Sequence, residues 1–315
     1  MPESAAIICT RNRPDALRNT LRSIAQQNVA DLPTVFVIDS SDDNALSKNR
    51  KTASQFSSLS VVYHRYEGPP SAARQRNVGL RLLPKDTERV FFFDDDITLD
   101  EDCVAYLRSA LTAKPSLAGV GGAEMSPPTV RNEDSFSRWG SALFKYLFLI
   151  DHPQPGRVLR SGHVSPYYSV ESDEKVVSTE WLSTCCCLYD SDVFKRVRFE
   201  GTIQGALFED RDLSYRITQF ADLALTPKAQ FVHHRSPLNR RSVREYNRDR
   251  MIQRYWFVTK SMNEPLGALA YWWATLGHIL ALLCSKKTEK WDALYGLQEG
   301  LGKIMTRSHP LLNAD

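Results

Sequence analysis

The sequence predicts an α/β fold, a mixed and mostly parallel sheet flanked by helices, with a C-terminal helical extension. Three observations carry this. Short apolar runs of strand type alternate with helical patterns through the first 125 residues. Polar clusters recur at the ends of those runs, at Thr10 to Arg13, Asp39 to Asp43 and Asp94 to Asp96, where open sheets of this kind bind ligands. Finally, the stretch 265–284 carries no formal charge and sets the tail apart.

Taken in order, AAIIC is a strand, and TRNRPDA ends it with a turn and a proline. DALRNTLRSIAQQ reads as a helix, because Leu17, Leu21 and Ile24 recur at spacings of four and three. PTVFVIDSSDD is a strand closed by an Asp/Ser turn, and LSVVYHRY is another. GPPSAARQRNVGLRLLP is a loop feeding a helix that stops at Pro84. RVFFFDDDITLD is a buried strand ending in acids, and CVAYLRSALTA is a helix. LAGVGGAEM follows as a strand with a glycine-permitted bend. Residues 126 to about 178 are irregular and rich in Pro, Ser and aromatics, the composition of a substrate-facing insertion. EWLSTCCCLYDSDVF is a strand and a helix start, FEDRDLSYRITQF a helix entered through acids, and LALTPKAQFVHHRS the closing strand. A basic, aromatic helix, RSVREYNRDRMIQRYWFVTK, leads into the tail.

Composition excludes several classes. With 315 residues, 42% hydrophobic and 24% charged, the chain is ordinary for a globular protein and argues against disorder. A net charge of +3 is too small to suggest nucleic acid. None of the six cysteines forms a CxxC pair, so neither a zinc ribbon nor a thioredoxin motif is expected. Cys185, Cys186 and Cys187 read as small buried residues of a reducing compartment. No basic leader precedes a long apolar run, so the expected location is cytoplasmic.

The chemistry concentrates in FFFDDD. Three consecutive carboxylates at a strand end repel one another, and a divalent cation relieves that repulsion. Mg²⁺ and Mn²⁺ take oxygen ligands, commonly one or two carboxylates plus substrate phosphates. A solvated acidic turn or a helix cap is the competing reading of the same residues.

IICTRNRP, VFVIDSSDD, ARQRNVG, FFFDDD, WLSTCCCLYDSDVF, FEDRDLSYR and FVHH occur in that order over residues 5 to about 236. In this the chain resembles a family 2 glycosyltransferase with the GT-A-type, Rossmann-like fold, rhamnosyltransferase-like in character. The resemblance implies an inverting, metal-dependent enzyme that moves a sugar from a UDP- or dTDP-sugar to a hydroxyl. The acceptor would be a glycan or lipid-linked (polyprenyl) glycan, in cell-surface polysaccharide synthesis. It implies a catalytic domain over 1–240, with a nucleotide-binding half (1–125) and an acceptor-binding half (126–240), before a helical region over 241–315.

Roles follow from the same resemblance. Thr10 and Arg13 would contact the nucleotide, and Asp39 would accept a hydrogen bond from the base. A capped turn is the plainer reading of Asp39. Arg76 would lie near base and diphosphate, Asp94 and Asp95 would hold the ribose, and Asp96 would ligate Mg²⁺ or Mn²⁺. Asp210, in the Glu209-Asp210 pair, would be the general base; the plain alternative is that these acids favour a helix N-terminus. One of His233 and His234 would reach the metal or diphosphate, and neighbouring strand residues point to opposite faces. The expectation is His234. Trp181 stacks on a sugar or fills the core.

Two features stand outside that pattern. Arg241, Arg244 and Arg248 share a helix side and meet phosphate, lipid heads or only solvent. The uncharged segment 265–284, with Tyr271, Trp272 and Trp273 and with Lys286, Lys287 and Lys290 following, has three readings. It lies at the inner face of a membrane, spans it, or is buried against the domain or a second copy in a homodimer. Two rival functions remain. FFFDDDIT satisfies the DxDxT motif (94–98) of a haloacid-dehalogenase-type phosphatase, though that motif opens its fold. The other rival is an inactive sugar-nucleotide-binding protein.

Overall fold

The computed structural model describes residues 4–125, 135–167, 176–203, 207–235 and 241–313. Much of the irregular stretch assigned to a substrate-facing insertion, at 126–134 and 168–175, lies outside the described residues.

The first half alternates as its apolar runs require. Strand β1 (Ser4–Thr10) leads to α1 (Pro14–Ala25), β2 (Thr34–Asp39), α2 (Asp43–Ala53), β3 (Val61–Arg65) and α3 (Ala72–Leu82). Next come β4 (Arg89–Asp94), a short β5 (Ile97–Leu99), α4 (Cys103–Leu111) and β6 (Leu117–Glu124). Helix α1 starts with Pro14, whose fixed φ suits the first turn, and it buries Leu17, Leu21 and Ile24 as their spacing predicts. Ser71 caps α3 by accepting from the Arg74 N–H. Gly79 lets α3 lie directly on β1, because a Cβ there would stand 2.7 Å from Ile7 Cγ2.

After α5 (Ser135–Leu147), the chain adds β7 (Val177–Thr179), β8 (Cys186–Asp190), α6 (Val193–Arg196), α7 (Glu209–Thr218) and β9 (Asp222–His233). Among the described residues nine strands form one mixed sheet, in the order β3-β2-β1-β4-β8-β6-β9-β5, with β7 also on β9. Strands β3, β2, β1 and β4 run parallel, whereas β8 is antiparallel to both its neighbours. The bend expected in the glycine strand is present as register shifts between β6 and β9, one of them at Gly122/Ala123. There the Gly122 Cα approaches the Ala229 carbonyl too closely for any side chain.

Phe91, Phe92 and Phe93 divide between the two faces of the sheet, as strand alternation requires. Phe91 and Phe93 stack 5.5 Å apart in the larger apolar core. Phe92 packs edge-on against Tyr189, Phe194 and Phe199 on the other side. Cys185, Cys186 and Cys187 are buried free thiols, and the latter two pair with Phe93 and Phe92 across β4 and β8.

The chain divides into two compact units. The first comprises Met1–Ser126 and Tyr167–Asn239 and contains the sheet. The second comprises Pro127–Pro166 and Arg240–Asp315. Residues 127–166 thus group with the C-terminal helices in the second unit. Aromatic packing explains this: Phe148 stacks on Trp273 at 4.7 Å, and the Trp273 indole N–H donates to the Leu147 carbonyl at 2.9 Å.

Within this second unit, α8 (Val243–Trp256) opens on a reciprocal Ser242/Glu245 cap and ends in a π-helical turn over Phe257–Met262. Helices α9 (Gly267–Cys284) and α10 (Lys290–Met305) complete it. Arg244 pairs with Glu299, while Arg241 and Arg248 meet Asp249 at 3.1 and 2.7 Å. Helix α9 buries Ala270, Tyr271, Ala274, Thr275 and Gly277 and leaves Leu269, Trp272, Trp273, Leu276, Leu280 and Leu283 exposed. Both of its faces are apolar.

Candidate active site

Parallel pairing gathers the polar ends of three strands. Thr10 lies opposite Asp39 across β1 and β2, and Cys9 lies opposite Asp94 across β1 and β4. β4 ends at Asp94, so Asp95 and Asp96 occupy the turn before β5. β9 runs antiparallel to β5, and the register sets His233 opposite Ile97, next to that turn.

The three acids have different partners. Asp95 is buried and accepts from the Thr10 hydroxyl at 2.6 Å and from Arg13 Nη1 at 3.0 Å. Burial pushes its carboxyl up to about 6, against the pull of Arg13 and Thr10. Thr10 and Asp95, both expected at the nucleotide, thus face each other and clasp the β1 and β4 loops. Asp96 meets Arg13 Nη1 at 3.5 Å and His233 Nε2 at 3.1 Å. Asp94 keeps a third of its side chain exposed and meets Arg76 Nη2 at 3.3 Å.

The two histidines have different partners. His234 turns away, with Nε2 2.8 Å from the Thr98 hydroxyl, and its backbone N–H donates to the Asp96 carbonyl. His233 takes the place beside Asp96. Burial lowers its basicity, but the hydrogen bond to Asp96 and the charges of Asp94, Asp96 and Glu124 outweigh that and raise its pKa. Strand alternation said that only one of the pair reaches the site; the register with β5, invisible in the sequence, decides which.

Asp39 is fully buried with three donors around it. Its Oδ1 accepts from the Ser41 N–H at 2.7 Å, the turn cap of the plainer reading, and its Oδ2 accepts from Asn49 at 2.8 Å and from the Tyr63 hydroxyl. Neither Asn49 nor Tyr63 was singled out in the sequence; both come from elements around β2 whose contacts no local motif announces.

Arg76 joins the two halves of the site. Its Nη1 donates to buried Glu209 at 2.9 Å, while its Nη2 reaches Asp94. Burial opposes its charge, yet Glu209 above all, with Asp94, holds the guanidinium protonated. Among the described residues Glu209 Oε2 has no hydrogen-bond partner, and Arg76 donates to the other oxygen of that carboxylate. Asp210 is the next residue, in the first turn of α7, and accepts from the Arg211 N–H at 2.8 Å. Burial first, and the Glu209 charge second, push its carboxyl up to about 7, although Arg211 and Arg76 pull the other way. A carboxyl poised near neutral pH is suited to taking a proton.

Trp181 is buried, between Tyr167 at 4.5 Å and the Arg211 guanidinium at 5.7 Å. It fills the core.

As a donor set, the region around His233 fits a divalent cation. Asp94, Cys185 and His233 each offer a ligand atom, and these lie within 4.8 Å of one another. Asp96 adds a carboxylate at His233, with Arg13 3.5 Å from it and Arg76 3.3 Å from Asp94.

The model of the family described as "Glycosyltransferase like family 2" matches residues 2–249. Among solved structures, GalNAc-T7 with UDP, GalNAc and Mn²⁺ is similar with a TM-score of 0.59 at 13% identity. That alignment covers 99% of this chain and 58% of the GalNAc-T7 chain, so the chain spans little more than half of that protein's length. The mannosyltransferase PcManGT from Pyrobaculum calidifontis, with GDP-Man and Mn²⁺, has a TM-score of 0.58 at 17% identity, covering 99% and 85%. S. aureus TarS 1–349 with UDP-GlcNAc has a TM-score of 0.56 at 15% identity, covering 98% and 86%. At such identities the likeness speaks for the GT-A fold. No curated protein sequence matches the chain.

Proposed function

Because it matches the family model over most of its length, the chain belongs to glycosyltransferase family 2, and from that premise we propose an inverting transfer of a sugar from UDP or dTDP to an acceptor hydroxyl. The observation that carries the reading is Asp210, a carboxyl raised to about 7 next to Glu209, whose partner Arg76 also reaches Asp94. Asp210 accepts the acceptor's O–H proton as that oxygen attacks the anomeric carbon. The bond from that carbon to the diphosphate breaks, its electron pair leaves on the diphosphate, and attack from the opposite face inverts the centre. Asp39 receives the base N–H on its Oδ1 side, with Asn49 and Tyr63 fixing the carboxylate.

Asp96 and His233, in place of His234, would hold Mn²⁺ or Mg²⁺. When bound, the cation supplies positive charge to the departing diphosphate. Arg13 and Arg76 orient the carboxylates of Asp96 and Asp94. The relatives solved with Mn²⁺ or with UDP, GDP-Man and UDP-GlcNAc support a nucleotide-sugar donor.

The acceptor is a glycan carried on a lipid, taken at the inner face of a membrane during cell-surface polysaccharide synthesis. Exposed Leu269, Trp272, Trp273 and Leu276 on α9, with Lys286, Lys287 and Lys290 beyond its end, support peripheral contact there. The phosphatase alternative finds no support: Asp94, its nucleophile, ends an internal strand of the sheet with Arg76 on its carboxylate.

The test is a screen of UDP- and dTDP-sugars with lipid-linked acceptors and Mn²⁺, reading product by NMR. A product whose anomeric configuration is opposite to the donor's is expected. Retained configuration, or phosphomonoester hydrolysis without transfer, would remove the proposal. Flotation with anionic phospholipid vesicles tests the membrane part. Equal recovery of Leu269→Glu/Leu276→Glu and unaltered protein would refute it.

A further inference from the structure

The cation site contains one donor that sugar transfer does not need. Cys185 precedes β8, and the backbone N–H of Asp94 donates to its carbonyl at 3.0 Å, which fastens the end of β4 to this residue. The buried Cys185 thiol thereby shares the site with the Asp94 carboxylate and the His233 imidazole, all within ligand reach of one another. Its closest charges are acidic, those of Asp94, Asp96 and Glu124. The thiols after it have other neighbours: Cys186 stands 3.7 Å from Cys103, and Cys187 pairs with Phe92.

Donor chemistry distinguishes cations here. Mg²⁺ takes oxygen ligands and keeps its waters, whereas sulfur with imidazole suits Zn²⁺ and other borderline ions. A carboxylate, a thiol and an imidazole also match the mixed ligand sets of zinc sites that keep an open position.

We propose that Asp94, Cys185 and His233 form a thiol-containing site for a borderline divalent cation, Zn²⁺ or Co²⁺. The site shares His233 with the Asp96–His233 pair assigned above and rests on the transferase reading only for that residue. On binding, the S–H bond breaks with its electron pair left on sulfur for the cation, and the proton passes to solvent. Zn²⁺ held this way competes with Mn²⁺ for His233, so the residue that selects between cations is Cys185.

Co²⁺ titration of the full chain, without nucleotide, tests this. The expected result is a sulfur-to-cobalt charge-transfer absorption that Zn²⁺ abolishes by displacement. Cys185→Ser, with the other five cysteines intact, loses the band and weakens Zn²⁺ binding on the order of 10–100-fold, leaving Mg²⁺ affinity unchanged. If that variant does not fold by circular dichroism, His233→Ala must lose the band instead. Co²⁺ binding without a sulfur band, or a band that survives the folded variants, overturns the proposal. Calorimetry of UDP with Mn²⁺ reports on the transferase reading separately: lost nucleotide binding with the cobalt band intact sinks that reading alone.

Discussion

Replacing Asp210 by Asn keeps the shape of the side chain and removes its ability to take a proton. A positioned general base contributes about 10²–10⁴-fold to rate, so the variant loses turnover by that factor while binding UDP normally. The pH dependence is more specific still. With the carboxyl raised to about 7, roughly a tenth of the molecules carry it ionised one unit below. Turnover of the unaltered protein therefore falls about tenfold per unit as pH drops below about 7 and levels off above it. Stability changes in the opposite sense. The folded value lies above the ordinary 3.8, so the folded chain keeps a proton that the unfolded chain has released. This group's stabilising contribution is full below about 4 and is lost as pH rises through about 7. Asp210→Asn should accordingly melt at a higher temperature than the unaltered protein above neutral pH, while being nearly inactive. Steady-state rates between about pH 5 and 9, with melts at both ends, check all of this. A flat profile across neutrality, or an Asn variant with more than about a tenth of the turnover, would refute the base assignment.

Further outcomes follow from the same contacts. Arg76→Ala strands the buried Glu209 carboxylate and should cost about 3–5 kcal/mol of stability in urea unfolding, where a loss below about 1 kcal/mol would mean that Arg76 is not what stabilises Glu209. Tyr63→Phe removes one donor from Asp39 and should weaken UDP binding by about 10–100-fold, from about 1.5–3 kcal/mol per hydrogen bond to a carboxylate; calorimetry showing no change would separate Asp39 from the base. Gly79→Ala forces a methyl against Ile7 and should destabilise by about 1–3 kcal/mol on denaturant unfolding.

Which parts were legible in the sequence depended on range. Leu17, Leu21 and Ile24 set the buried face of α1 by their own spacing, and the FFF run set a strand with both faces covered. The acidic strand end and the Glu209-Asp210 helix entry were visible for the same local reason. His233 was not, because its aim comes from a register with β5 that lies more than a hundred residues away. Arg76 was expected near the diphosphate, but its hold on Glu209 spans α3 and α7 and leaves no trace in either segment. Cys185 looked like one of three equivalent core thiols; only the pairing of β4 with β8 sets it beside Asp94 and apart from Cys186 and Cys187. The stretch from 126 to about 178 reads as an insertion because its composition is irregular, yet Phe148, within it, stacks on Trp273 of the tail.

In the proposed site Asp96 and His233 hold a cation, which in turn holds a nucleoside diphosphate. Calorimetric titration of UDP, with and without Mn²⁺, tests it on the unaltered chain and on Asp96→Ala. The account predicts binding that Mn²⁺ tightens by an order of magnitude or more and that Asp96→Ala reduces to the cation-free level. Equal affinity with and without Mn²⁺, or an Asp96→Ala variant that still responds to it, would contradict the account.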